Sequence, residues 1–149
     1  MMRTIVATAV ALAAMTGAAH AEPKLKRPSF FMQPGHDAAL LGGIDRYTDD
    51  KIAFNRRFSL TFVPCGIACG SFWFVDRRTG GVIEAPTTTG PIASEDTWDV
   101  EAKPDSNVIR VIYGPRDPVV GARCTARHFR WTGKAFAPLD QSTAILCPE

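Results

Sequence analysis

The residues equipped for chemistry are few. Cys65 and Cys69 are spaced Cys-x3-Cys in FVPCGIACGSFWFV, each followed by glycine, and Cys124 and Cys147 stand singly near the end. A zinc site built on such a pair wants a second knuckle or spaced histidines, and neither is present. Catalytic thiol pairs usually read Cys-x-x-Cys at the start of a helix, where the dipole lowers the thiol pKa. This pair has one residue more and leads into the strand-like SFWFV. Cys124 and His128 share a face of ARCTARHFRW, but four strand residues set them roughly 13 Å apart, outside the reach of a nucleophile and its base. His36 lies beside Asp37 in a polar loop.

Other catalytic patterns are missing. There is no Gly-x-Ser-x-Gly elbow and no phosphate loop, dinucleotide fingerprint or calcium loop. The acidic pairs Asp49-Asp50, Glu95-Asp96 and Asp99/Glu101 fall in turns or on a solvated strand face. The reading therefore leans away from an enzyme without closing that question, and expects no cofactor and no metal.

The first 21 residues, MMRTIVATAVALAAMTGAAHA, have the three parts of an export signal. Arg3 supplies the positive end, residues 5–15 a short apolar run, and Ala19-His20-Ala21 a small-x-small cleavage site. Cleavage between Ala21 and Glu22 sends a chain of 128 residues to a periplasm or out of the cell. In that oxidising setting an even number of cysteines reads as disulfides. Cys65–Cys69 across a glycine turn and Cys124–Cys147 tying down the tail are the favoured pairs, with crossed pairings still open. After cleavage 16 basic residues face 15 acidic ones, so composition offers no footprint for nucleic acid or anionic lipid. No later apolar run is long enough to cross a membrane.

The elements that must position these groups are mostly strands. In KIAFNRRFSLTFV, Ile52, Phe54, Phe58, Leu60 and Phe62 alternate with polar Asn55, Arg57, Ser59 and Thr61. This predicts a half-buried strand, or two with a break near Asn55-Arg56, ended by Pro64. SFWFV is apolar throughout and predicts a central strand covered on both faces. DRRTGG predicts a hairpin turn in which Asp76 bonds its own backbone and Gly80-Gly81 take positive φ. Trp98, Val100 and Ala102 alternate with acidic Asp99 and Glu101; VIRVIY returns after Pro104-Asp105-Ser106-Asn107. ARCTARHFRW and AFAPL flank Thr132-Gly133-Lys134, and STAILC closes the chain.

These segments predict an all-β fold: a single antiparallel meander of seven or eight short strands over residues 49–149, closed as a small barrel or stacked as a sandwich. Residues 22–48 read as a largely extended arm. Asp37 caps one helical turn there, which Gly42-Gly43 end, and Phe30 and Phe31 are placed to pin the arm to the body.

Three segments together, CGIACGSFWFVDRRTGGV, KPDSNVIRVIYG and CTARHFRWTGKAF, resemble a group of small exported proteobacterial β-domain proteins without an assigned activity. A Cys-Gly-x-x-Cys turn, an Asp-x-x-Thr-Gly hairpin and an aromatic strand ending in Trp-x-Gly carry the resemblance over roughly residues 60–140. It implies a fold and no catalytic residue.

The function expected is a non-catalytic periplasmic or secreted binding module that docks on a protein partner, in an inhibitor, immunity or accessory role. Trp73, Trp98 and Trp131 are its candidate anchors, with Arg56, Arg57, Arg77 and Arg78 as polar contacts; core packing is the competing role for each tryptophan. One alternative is an envelope binder that stacks sugar or peptidoglycan fragments on neighbouring tryptophans. The other is a thiol-redox protein using Cys65 and Cys69.

Overall fold

Among the described residues, seven strands and one helix follow each other in the order expected of a meander. They are α1 (Ala38–Tyr47), β1 (Phe58–Gly66), β2 (Cys69–Asp76), β3 (Val82–Glu84), β4 (Glu95–Glu101), β5 (Val108–Pro115), β6 (Arg123–Trp131) and β7 (Phe136–Leu146). The structure is a computed structural model that describes residues 24–28, 35–66, 69–86, 95–115 and 121–148, with backbone alone at 65, 66, 69, 95, 96, 140 and 141. The export signal, the Ala21/Glu22 cleavage site, and Phe30 and Phe31 lie outside the described residues.

Each strand pairs antiparallel with its sequence neighbour, giving sheets of order β1-β2-β3 and β4-β5-β6-β7. The sheets are open and face each other across an aromatic core, so the sandwich is formed and not the barrel. Phe54, Phe58 and Phe74 from the first half meet Val100, Ile109, Val111, Tyr113, Phe129 and Trp131 from the second. The alternation in β5 and β6 sends odd-numbered residues into this core, as period-two patterning requires.

β2 is the central strand of the first sheet and is covered on both faces as SFWFV predicts. Phe74 points into the inter-sheet core, while Trp73 and Val75 point the other way, under α1 with Leu41, Ile44, Val63 and Val82. That second cover corrects two expectations. The helix that follows Asp37 is longer than one turn, because α1 runs ten residues. Asp37 does cap it, accepting a hydrogen bond from Leu40 N at 2.7 Å. Gly42 and Gly43 do not end it: a Cβ on Gly43 would press on Val63 Cγ1 at 3.2 Å, so glycine permits close helix–sheet approach, and packing outweighs propensity.

The polar face of β1 is also not solvated. Ser59 and Thr61 lie beneath the helix layer, 0% and 3% exposed, and Ser59 Oγ donates to Lys51 O at 2.7 Å. Nor does Pro64 end the strand. β1 is an edge, where a missing N–H is tolerated, and it continues through an irregularity to Gly66.

The expected break does occur. Asn55 and Arg56 both have φ of 48°, the left-handed conformation that suits a tight hairpin turn. Their N–H groups donate across to the second half, Asn55 to Ser106 O at 3.1 Å and Arg56 to Pro104 O at 2.6 Å. The Arg56–Asp105 ion pair at 2.6 Å lies over this clasp. In β4, a register shift between Thr97 and Asp99 separates Trp98 from Val100, which were expected to share a face. Val100 enters the inter-sheet core, and Trp98 packs on the outer face of the second sheet. A bulge turns successive side chains in this way.

Candidate functional site

The turn between β2 and β3 gathers most of the polar chemistry. Asp76 N donates to Gly81 O and Gly80 N to Asp76 O, both at 2.8 Å. Gly80 takes φ of 77°, and a Cβ there would come within 2.5 Å of Arg27 O. The Asp76 carboxylate, 6% exposed, is held by Arg57 Nε at 2.9 Å and Nη2 at 2.5 Å, Arg78 N at 2.9 Å and Thr79 Oγ1 at 2.7 Å. Burial alone raises its pKa, but the hydrogen bonds from Arg57, Thr79 and Arg78 N–H and the Arg57 charge outweigh that, bringing it down to about 2. Such a group stays ionised and cannot shuttle protons near neutral pH. Arg77 is buried, donating to Asp50 O at 2.5 Å and Ser59 Oγ at 3.2 Å. Lys26 N donates to Arg77 O, and Arg27 Nη1 donates to Asp45 O and Thr48 O at the end of α1. Arg27, Arg57 and Arg77 thus join the end of the helix, β1, the turn and the N-terminal segment, and of the four arginines Arg56, Arg57, Arg77 and Arg78 only Arg56 and Arg78 present exposed side chains.

The three tryptophans occupy three different clusters. Trp73 is 5% exposed beneath α1, its Nε1 donating to Ser71 Oγ at 2.7 Å and its ring meeting His36 edge-on at 5.4 Å. His36 is therefore packed on an aromatic ring and does not hang in a free loop. Trp131 is 8% exposed, against Phe58 and Phe136. Trp98 is half-buried, its Nε1 donating to Pro115 O at 3.1 Å. No two tryptophans form a shared open platform for a sugar, and Trp73 and Trp131 serve the core instead of offering a face to a partner.

Cys124 and Cys147 are bonded to each other, with Cα atoms 4.9 Å apart. Trp98, Ile112, Ala126 and Ile145 surround the bridge, and Gly114 makes room: a Cβ there would overlap Cys124 Sγ and come within 3.0 Å of Trp98 Nε1. With its sulfur engaged, Cys124 cannot act with His128. Replacing Cys147 by serine removes a crosslink over 23 residues and is expected to lower stability by about 3 kcal/mol, read as a lower urea midpoint that reduction of the wild type reproduces. At Cys65 and Cys69 the backbone forms the β1–β2 hairpin, with Gly66 opposite Cys69; their sulfurs, and so that pairing, lie outside the described residues.

Three of the carboxylates considered for catalysis have local partners, and the side chains of Glu95 and Asp96 lie outside the described residues. Asp49 accepts from Lys51 N, Asp99 from Val100 N, and Glu101 from Arg110 Nη1. Among the described residues no three His, Cys, Asp or Glu side chains gather as a metal site, and no helix is long and apolar enough to cross a membrane.

One surface was missed by sequence reasoning. β7 is the edge of the second sheet. Cys147 N donates to Ala122 O at 3.0 Å, and Arg123↔Leu146, Cys124↔Ile145, Thr125↔Ala144, Ala126↔Thr143 and Arg127↔Ser142 follow in unbroken register. Antiparallel pairs alternate between bonded and non-bonded. The N–H and C=O groups of residues 143, 145 and 147 therefore face β6, and those of Ser142, Ala144 and Leu146 face outward. No described residue adds a strand there. These three side chains are exposed, Leu146 at 67%. The signal was present in the sequence, because 141–146, QSTAIL, holds neither a charge nor a proline, the usual devices that blunt an edge. Comparison with family models, curated proteins and solved structures returned no match to this chain.

Proposed function

We propose that this chain is an exported, non-catalytic binding module that docks on a protein by accepting an extended segment along the free edge of β7. The observation that carries the reading is the row of outward backbone groups at Ser142, Ala144 and Leu146. Strand addition draws affinity from such main-chain bonds and specificity from side chains beside them. The Cys124–Cys147 bridge supports the reading in two ways. It holds the end of β7 against β6, so little ordering is required when a strand arrives. It also fits the oxidising compartment to which the leader pattern points.

Proline at position 144 provides the test. It deletes an outward N–H and leaves every β6–β7 hydrogen bond in place, a position where an edge strand tolerates proline. Ala144→Pro is expected to keep the far-UV spectrum and reduce capture of the wild-type partner by about tenfold or more, a loss of ~1–2 kcal/mol. Amide exchange at 142, 144 and 146 should slow when that partner is added to the wild type. A partner held equally by Ala144→Pro, or exchange unchanged at these amides, would refute edge docking.

A further inference from the structure

The surface beside this edge points to the charge of what it receives. Cross-strand partners share a face, so Arg123, Thr125 and Arg127 of β6 lie on the same face as Leu146, Ala144 and Ser142 of β7. Toward Trp131 this face enters the core, but at its Arg123 end both arginines are exposed. Among the described side chains neither guanidinium has a carboxylate within ion-pair distance. The residues between these arginines and the free edge are small at two of three positions, Ser142 and Ala144. An added strand lies about 5 Å beyond β7 and about 10 Å from β6, a gap that an arginine and a glutamate bridge together across a serine or alanine.

We infer that the segment docking on β7 is an acidic strand, carrying Asp or Glu at alternate positions on the face where Arg123 and Arg127 wait. Leu146, beside Arg123, supplies an apolar contact at one end of the same row. A second copy of this chain fits less well, since its own edge would set the uncharged Ser142, Ala144 and Leu146 against the same row. This inference rests on β7 being the docking edge, and the experiment separates the two.

Fluorescein-labelled nonapeptides alternating valine with glutamate, serine or lysine are titrated against the full disulfide-bonded protein by anisotropy. The valine–glutamate peptide is expected to bind about five- to tenfold tighter than valine–serine, as two exposed ion pairs allow, with the difference fading as salt is raised. Arg123→Glu/Arg127→Glu should transfer the preference to the lysine peptide. Ala144→Pro, and separately Ala144→Lys as an edge-blocking control, should weaken binding of all three. Equal affinity for the three peptides, with all lost in Ala144→Pro, would overturn the acidic preference and leave edge docking standing. Binding of none would overturn both. A dimer in sedimentation that Ala144→Pro abolishes would assign the edge to a second copy and likewise overturn the inference.

Discussion

Asp76→Ala is expected to lower the unfolding free energy by about 3–5 kcal/mol, the loss typical of breaking one side of a buried ion pair. Asp76 receives four hydrogen bonds, two from Arg57 and one each from Arg78 N and Thr79 Oγ1. Alanine leaves Arg57 without its acceptor and the β2–β3 turn without its internal brace. Arg57 is about one-third exposed, so water recovers part of its loss and the lower half of the range is favoured. The pH dependence follows from the depressed carboxyl. Its pKa falls from 3.8 to about 2 on folding, so the unfolded chain binds the proton more readily. The contribution, about 2 kcal/mol, is complete well above pH 4 and is lost as pH falls through about 2. Urea titrations of wild type and Asp76→Asn should therefore differ most near neutrality and converge toward about pH 2. Curves that keep a constant separation would show that charge is not the source.

Phe74→Ala carries a penalty of similar size for an entirely different reason. Phe74 is fully buried on the central strand of the first sheet, with ring centroids of Phe54 at 5.5 Å, Phe58 at 6.5 Å and Phe136 at 5.1 Å. It therefore touches both halves of the sandwich. Deleting the ring removes its transfer energy and leaves a cavity that two sheets held by other contacts cannot fill, at a cost of about 3–5 kcal/mol. Phe74→Leu keeps most of the volume and should cost less than about 1.5 kcal/mol. Against a total of about 5–15 kcal/mol, the alanine variant should show a greatly lowered urea midpoint with an unchanged dependence on denaturant. A near-equal effect of leucine and alanine would mean that the ring shape, not the filled volume, holds the sheets together.

Much of this architecture was legible because it rests on local signals. The alternation of VIRVIY and ARCTARHFRW, the apolar run SFWFV and the turn chemistry of DRRTGG each depend on residues within a few positions of one another. What was illegible depends on distant packing. Ser59 and Thr61 look like a solvated face because nothing near them in sequence announces the helix that covers them. Gly42-Gly43 look like a helix stop because the close approach to Val63 lies 20 residues away. The bulge in β4 leaves no mark in TWDVE, yet it moves Trp98 from the inter-sheet core to the disulfide. The candidate site suffered most. Aromatic and basic residues drew attention to Trp73, Trp131 and Arg77, and packing uses all three inside. The edge of β7 is built from main-chain groups, which every residue carries, and only strand order identifies them as free.

The strictly sequential strand order also bears on how the chain reaches its native state. Each ladder closes over a short connection, so loop entropy is a small barrier to forming either sheet. The non-local steps are stacking the halves and engaging Asn55 and Arg56 with the 104–106 turn. A β protein wired this way has low contact order for its class and should assemble quickly.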